Sequence, residues 1–130
     1  LDAEAQQRRL AATAVRHDGR SASLTAPNGR AQQELRFAAR ARSGVMANQS
    51  AIAEAHGTGT ALGDPIEVGA LKNVLGAGRH GDQKLMLGAV KSNIGHLEVA
   101  AGMAGMIKLI IKAKLEISFR FGTVGSRSRR

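Results

Sequence analysis

Two histidines lie on glycine-bearing loops of matched kind. His56 is in EAHGTGTALGDPIE, Glu54 to Glu67, and His96 closes KSNIGH, Lys91 to His96. A neutral imidazole can donate a hydrogen bond to a developing oxyanion or exchange protons near neutral pH. Taken singly, either ring is more often a structural hydrogen-bonding residue; together, on matched loops, they point to a shared pocket. Lys91, five residues before His96, adds a cation that could anchor a carboxylate or tune the neighbouring imidazole, or could simply reach water from a strand end. Thr58 and Thr60 could offer hydroxyls to a polar ligand arm or satisfy their own turn. Gly57, Gly59 and Gly63 permit a close approach of ligand to backbone, or serve the turn itself.

Other chemistries fare worse. The chain has no cysteine, so it supplies no disulfide, thiolate ligand or thiol nucleophile. A zinc site built on His56 and His96 needs further ligands, no helical HExxH occurs, and Asp64 is better used as a helix cap. HGTGT lacks the GK[ST] ending of a phosphate-binding loop. GAGRHG, Gly76 to Gly81, matches GxGxxG but follows a helix and precedes a strand, the reverse of the dinucleotide-binding context. His17 and His80 lie in polar turns and are read as solvated.

The elements that must position the two loops follow from pattern. Leu10 to Val15 reads as a short strand, followed by turn formers at Asp18-Gly19 and Pro27-Asn28-Gly29. A helix is expected from Ala31 to Arg42, with Leu35, Ala38 and Ala39 on one face and Arg36 and Arg40 on another. Gln49 to Ala55 reads as a strand entering the first loop. Asp64 is expected as N-cap of the next helix, Pro65 as its first residue and Glu67 as the partner in a capping-box-like arrangement. That helix carries Ile66, Ala70, Leu71 and Val74 on one side and stops near Gly76. Lys84 to Val90 reads as a strand buried on both faces, KSNIGH as a loop, and LEVAAGMAGMIKLIIKAK as a core helix. Its small residues allow close packing, and Glu98 and Lys108 break the apolar run well short of the roughly 20 residues that span a bilayer. The order implies an α/β layered fold with both histidine loops at the C-terminal ends of strands, where open α/β sheets bind ligands.

Charge and composition set further bounds. The 130 residues carry a formal net charge of +9, yet from Ser50 to Ile107 four bases (Lys72, Arg79, Lys84, Lys91) meet five acids (Glu54, Asp64, Glu67, Asp82, Glu98). The excess lies in the flanks, including a basic tail, FRFGTVGSRSRR, whose composition suggests disorder. With no Trp or Tyr and three Phe, the chain has little to stack on bases, which disfavours specific nucleic-acid binding. The start, LDAEAQQRRLAATAV, has no long apolar run after a basic stretch and so does not look like a secretory signal, and it lacks an initiator Met, which suggests a fragment.

EAHGTGTALGDPIE and VKSNIGHLEVAAGMAGMIK resemble the two histidine signatures of the ketosynthase (β-ketoacyl synthase) domains of type I modular polyketide synthases. LTAPNG, Leu24 to Gly29, with the preceding DGRS, resembles the segment before the first signature. The likeness runs from about Leu10 to Lys114. It implies a thiolase-like fold of duplicated α/β halves, of which this chain is approximately the second, C-terminal half. Residues 1–116 would be the C-terminal part of the ketosynthase and 117–130 a basic tail, disordered or foreign to the fold. The missing cysteine is then explained, because in the family the nucleophilic cysteine lies in the first half.

The resemblance also implies a chemistry. A malonyl-type extender held on an acyl carrier protein by phosphopantetheine loses CO₂ and condenses with an acyl thioester. His56 and His96 would promote decarboxylation and stabilise the enolate, and Lys91 would hold the network around the second histidine. Thr58 and Thr60 would contact the phosphopantetheine arm, while Asn93 and Gly95 would shape the second loop. No cofactor or metal is expected to bind directly. The expected partners are the acyl carrier protein, the N-terminal half and, in the complete enzyme, a second copy in a homodimer, in the cytoplasm or alternatively a plastid. Arg16-His17 departs from the Asn and polar residue that many relatives carry, the linker Ser43 to Asn48 is short and unusual, and the tail after Lys114 matches nothing in the family. Two other readings stand beside this one: a decarboxylating relative that does not condense, and a nonfunctional remnant acting as a basic interaction module.

Overall fold

The computed structural model describes residues 9–21 and 26–114. The tail 117–130, and Leu24 and Thr25 of LTAPNG, lie outside the described residues.

Residues 9–21 form neither helix nor strand, so the strand expected over Leu10 to Val15 is not formed. A strand needs a partner ladder for its backbone groups, and the described sheet has only the two strands β1 and β2. Leu10 and Val15 accordingly stay 71% and 98% exposed. Helix α1, Gly29–Ser43, starts two residues before the expected Ala31 because Asn28 caps it. The Asn28 Oδ1 accepts the Ala31 N–H at 3.1 Å, and its Nδ2 donates to the carbonyls of Asp18 and Arg20 at 2.8 and 3.1 Å. One side chain thus starts the helix and ties the Asp18-Gly19 turn to it. Gly44, at φ 69°, closes α1 in the left-handed region that favours glycine.

A 3₁₀ turn at Ala47–Gln49 leads into β1, Ile52–Glu54. Helix α2, Gly63–Leu75, crosses over to β2, Met86–Gly88, and the two strands pair in parallel with Ile52 opposite Met86 and Glu54 opposite Gly88. Parallel pairing demands such a crossover, since both strands must run the same way. Arg79, just past α2, donates to the carbonyls of Leu75, Ala47 and Ser50, fixing the end of the helix to the entrance of β1. After β2, α3 is a single turn, Lys91–Ile94, where a loop is expected. No side chain caps it at Val90; inside the turn the Ser92 Oγ donates to the Ala89 carbonyl at 2.7 Å. A second 3₁₀ turn, Glu98–Ala100, precedes α4, Ala101–Lys114.

The core is made of small residues, as the composition requires. Ala31, Ala47, Ala53, Ala70, Leu71, Val74 and Ala101 are buried, and Val74 is fully enclosed. Burying a side chain of that size contributes about 1.5–3 kcal/mol. Helices α1 and α2 pack closely, with Arg36 and Arg40 reaching the Glu67 carboxylate and the Val74 carbonyl of α2. The face expected to be a separate, charged one therefore makes helix-to-helix contacts. Helix α4 is joined to β1 by a part-buried ion pair, with the Lys108 Nζ 3.0 Å from Oε1 and 2.9 Å from Oε2 of Glu54. The expected burial of β2 on both faces is not met. Leu87 is 43% exposed, because no described element covers its face. No helix of the described residues is long and apolar enough to cross a membrane.

Candidate functional site

His56 stands two residues past the end of β1 and is held through its own backbone. Its N–H donates to Oε1 of Glu67 at 2.8 Å, and the N–H of Gly57 donates to Oε2 at 2.9 Å. Glu67 is 6% exposed and receives its countercharge from Arg36, whose Nη2 lies 3.1 Å from Oε1. Glu67 is therefore not a capping-box residue. It sits one turn before Ala70 and Leu71 on the buried stripe of α2, and its carboxylate turns back to the loop rather than to the helix start. Nor is Asp64 the N-cap. That position is Leu62, the Asp64 Oδ1 accepts from the Gly59 N–H at 3.2 Å, and the orphan N–H of Gly63 is satisfied by the Thr60 Oγ1 at 3.0 Å.

Gly57 carries a requirement of its own. Its φ is +49°, and a Cβ built there would lie 2.5 Å from the Cβ of Ala89 at the end of β2. The loop after β1 and the segment after β2 touch at this point, which no side chain could occupy.

Lys91, the first residue of α3, meets the first histidine rather than the second. Its Nζ lies 3.2 Å from the His56 Nδ1 and donates to the His56 carbonyl at 2.5 Å. An ammonium has donors only, so Nδ1 is the acceptor and the His56 proton belongs on Nε2. His96 reaches the same tautomer by another route: its Nδ1 accepts the N–H of Glu98 at 2.9 Å. Glu98 holds a φ of +48°, unusual for a residue with a side chain; its N–H is turned toward the ring by Leu97, at φ −85° and ψ 20°. Gly95, at φ 75°, ends α3 and swings the chain round so that His96 emerges next.

The two imidazoles face each other edge to plane, with centroids 5.8 Å apart and planes at 88°. Both rings are exposed. His56 borders two open grooves: one of about 470 Å³, also lined by Pro27, Thr58, Thr60 and Asp64, and one of about 320 Å³, also lined by Glu54, Lys91, Gly105 and Met106. With Nδ1 engaged in each ring, Nε2 is the nitrogen left to donate, and a neutral imidazole N–H is a group able to stabilise a developing oxyanion. Thr58 is exposed on the loop, whereas the Thr60 hydroxyl oxygen is engaged with Gly63. His17 and His80 are exposed, and no group of three or more metal-ligating side chains occurs among the described residues.

Sequence reasoning missed the Glu67 clamp, although one signal was present. An acid at the position three and four residues before Ala70 and Leu71 is a charge on the face bound for the core, and such a charge needs a partner. Glu54, the last residue of β1, with its side chain buried against Lys108, carries the same signal.

Comparison with known proteins agrees with this geometry. The family profile described as the beta-ketoacyl synthase C-terminal domain matches residues 8–117. The chain is 52% identical over 98 residues to the phenolphthiocerol synthesis polyketide synthase type I Pks15/1 of Mycobacterium bovis, covering 75% of this chain and 5% of that one. It is 53% identical over 102 residues to the erythronolide synthase EryA3 of Saccharopolyspora erythraea, covering 78% of this chain and 3% of that one. Among solved structures, the oxazolomycin ketosynthase domain OzmH KS8 of Streptomyces albus JA3453 superposes with a TM-score of 0.75 at 36% identity, over 81% of this chain and 28% of its own. The ketosynthase from module 1 of the bacillaene synthase of Bacillus amyloliquefaciens FZB42 gives 0.74 at 40%, over 79% and 20%. The chain thus spans a small part of each relative, and its architecture is the C-terminal part of a thiolase-like fold. These relatives are bacterial, so a plastid location finds no support among them. The chain belongs to the β-ketoacyl synthase family, within which residues 8–117 match the C-terminal domain of polyketide synthase ketosynthases.

Proposed function

We propose that this chain supplies the imidazole half of a decarboxylative Claisen condensation, and that a nucleophilic cysteine is supplied by an N-terminal half of the ketosynthase. The observation that carries the reading is the pair of facing rings, His56 and His96, each with Nδ1 engaged as an acceptor. In this reading a malonyl-type thioester on the phosphopantetheine arm of an acyl carrier protein places its thioester carbonyl oxygen at the two Nε2–H groups. The bond between the α-carbon and the carboxylate breaks, CO₂ leaves, and the electron pair passes into the enolate that the two donors stabilise. The α-carbon then attacks the acyl thioester on the cysteine. A carbon–carbon bond forms, the carbon–sulfur bond breaks, and the thiolate departs, leaving a β-ketoacyl chain on the carrier. Thr58 lines the groove through which the arm would pass, and Thr60 serves chiefly to start α2. No cofactor bound to the chain itself enters this reading, and the complete enzyme would work as a homodimer in the cytoplasm.

The test is CO₂ release and chain elongation by a complete ketosynthase carrying this chain, compared with its His56→Ala and His96→Ala variants. Each substitution should lower CO₂ release by roughly 10²–10³-fold, the loss usual for one oxyanion donor. Unchanged release in both variants would overturn the proposal. Release without elongation would instead indicate a decarboxylating relative that does not condense. The 130-residue chain alone, having no thiol, should capture no acyl group from a thioester.

A further inference from the structure

We infer that Glu67, held by Arg36, is a positioning residue for His56, and that helix α1 thereby sets the geometry of the first imidazole. The inference rests on the reading that His56 acts on the thioester. Its basis is a hydrogen-bond set that a structural carboxylate on a helix does not need. Both oxygens of Glu67 point away from the start of α2, and each takes one backbone N–H of the histidine loop, from His56 at 2.8 Å and Gly57 at 2.9 Å. These two amides would otherwise be left without acceptors at the turn out of β1. The side chain of Glu67 is 8% exposed, and the Arg36 guanidinium of α1 stands 3.1 Å from Oε1. A buried anion in this setting demands a partner, and Arg36 is the one the fold provides.

His56 is consequently gripped from two sides by groups of opposite sign. Glu67 holds its N–H, while Lys91 holds its carbonyl and its Nδ1. With donor and acceptor of the same residue both fixed, the ring has only its side-chain torsions left, and Lys91 restricts those. Glu67 also helps to line the groove of about 470 Å³ beside His56, but its two oxygens are taken by the His56 and Gly57 amides, so it acts by placing the backbone that carries the ring. Because the same carboxylate occupies the Gly57 N–H, neither amide is free to serve as an oxyanion donor, so that role falls to the rings.

The experiment uses a complete ketosynthase carrying this chain, with Glu67→Gln and Arg36→Lys substitutions. Two quantities are read: kcat and KM for CO₂ release from a carrier-bound malonyl thioester, and backbone amide hydrogen exchange at His56 and Gly57. For Glu67→Gln, kcat should fall on the order of 10- to 100-fold with KM within about two-fold, since both carboxylate oxygens are engaged by the His56 and Gly57 amides rather than offered to the arm, and the substitution nearly keeps the side chain's size. Exchange at His56 and Gly57 should quicken by roughly ten-fold or more while the amides of α2 and α4 keep their rates. Arg36→Lys, which leaves Glu67 in place and keeps a cation beside it, should retain most of the unsubstituted enzyme's values in both readouts. Unchanged kcat and unchanged exchange at the two amides would overturn the inference, as would exchange accelerated evenly along the chain, which marks a merely structural role. If Glu67→Gln does not fold, Arg36→Gln leaves the carboxylate in place and decides the matter by the same two readouts. Should the unsubstituted enzyme release no CO₂, the proposed reaction falls, whereas the exchange rates still report on the clamp.

Discussion

Lys91 and His56, thirty-five residues apart, are joined twice: the Lys91 ammonium lies 3.2 Å from the ring Nδ1 and 2.5 Å from the main-chain carbonyl of the same histidine. The first contact selects the tautomer, and the second fixes the backbone that carries the ring. Removing the ammonium while keeping the stem, as in Lys91→Met, should release both. We expect kcat for CO₂ release to fall on the order of 10- to 100-fold, and the His56 imidazole to become a mixture of tautomers in ¹⁵N spectra. His96, which draws its donor from the Glu98 N–H, should keep its spectrum. A Lys91→Met enzyme whose His56 signals remain those of the Nε2–H form would show that the ammonium does not set the tautomer.

A second prediction concerns the point where the two loops touch. At Gly57 a methyl group meets two obstacles, the left-handed φ of +49° and the Ala89 Cβ at 2.5 Å. Gly57→Ala should therefore destabilise the fold by about 1–3 kcal/mol, lowering the melting temperature. Ala89→Gly in the same chain removes the steric obstacle and leaves the torsional one, so it should recover part of the loss. Full recovery would assign the whole cost to contact, and none would assign it to the backbone.

How much of this could be read from the sequence depended on whether the signal was local. Helices α1 and α2 and both strands follow from periodicity and turn residues, and the histidine loops fall at strand ends where the pattern put them; α4 forms, but from Ala101 rather than Leu97, and it is not the core helix expected, since Met103, Ile107, Ile110 and Ile111 stay about half exposed among the described residues. The Leu10 to Val15 segment misled because an apolar run becomes a strand only beside another strand, and no local pattern reports a missing neighbour. Asp64 misled for a related reason. Its position before Pro65 is an N-cap pattern, but Thr60 already satisfies the Gly63 N–H, and the carboxylate is drawn to Gly59 instead. The partner of Lys91 was legible only as a choice between two histidines. Sequence distance favours His96, whereas the turn of α3 carries the ammonium across to His56.

The ion pair between Glu54 and Lys108 supports a third prediction. Both carboxylate oxygens of Glu54 lie within 3.0 Å of one ammonium, and the pair joins α4 to the last residue of β1, two residues before His56. The Glu54 side chain is 6% exposed and that of Lys108 is 23% exposed, so each charge depends on the other more than on water. Lys108→Met leaves a buried carboxylate without a partner and should cost about 3–5 kcal/mol. The pair itself is a weaker source of stability, because desolvating two charges offsets most of their attraction. Combining Lys108→Met with Glu54→Gln should therefore recover most of the loss in melting temperature. A double variant as unstable as Lys108→Met alone would mean that the loss does not come from leaving the Glu54 carboxylate unpaired. In that case Lys108→Arg, which retains both a stem and a charge, would keep full stability.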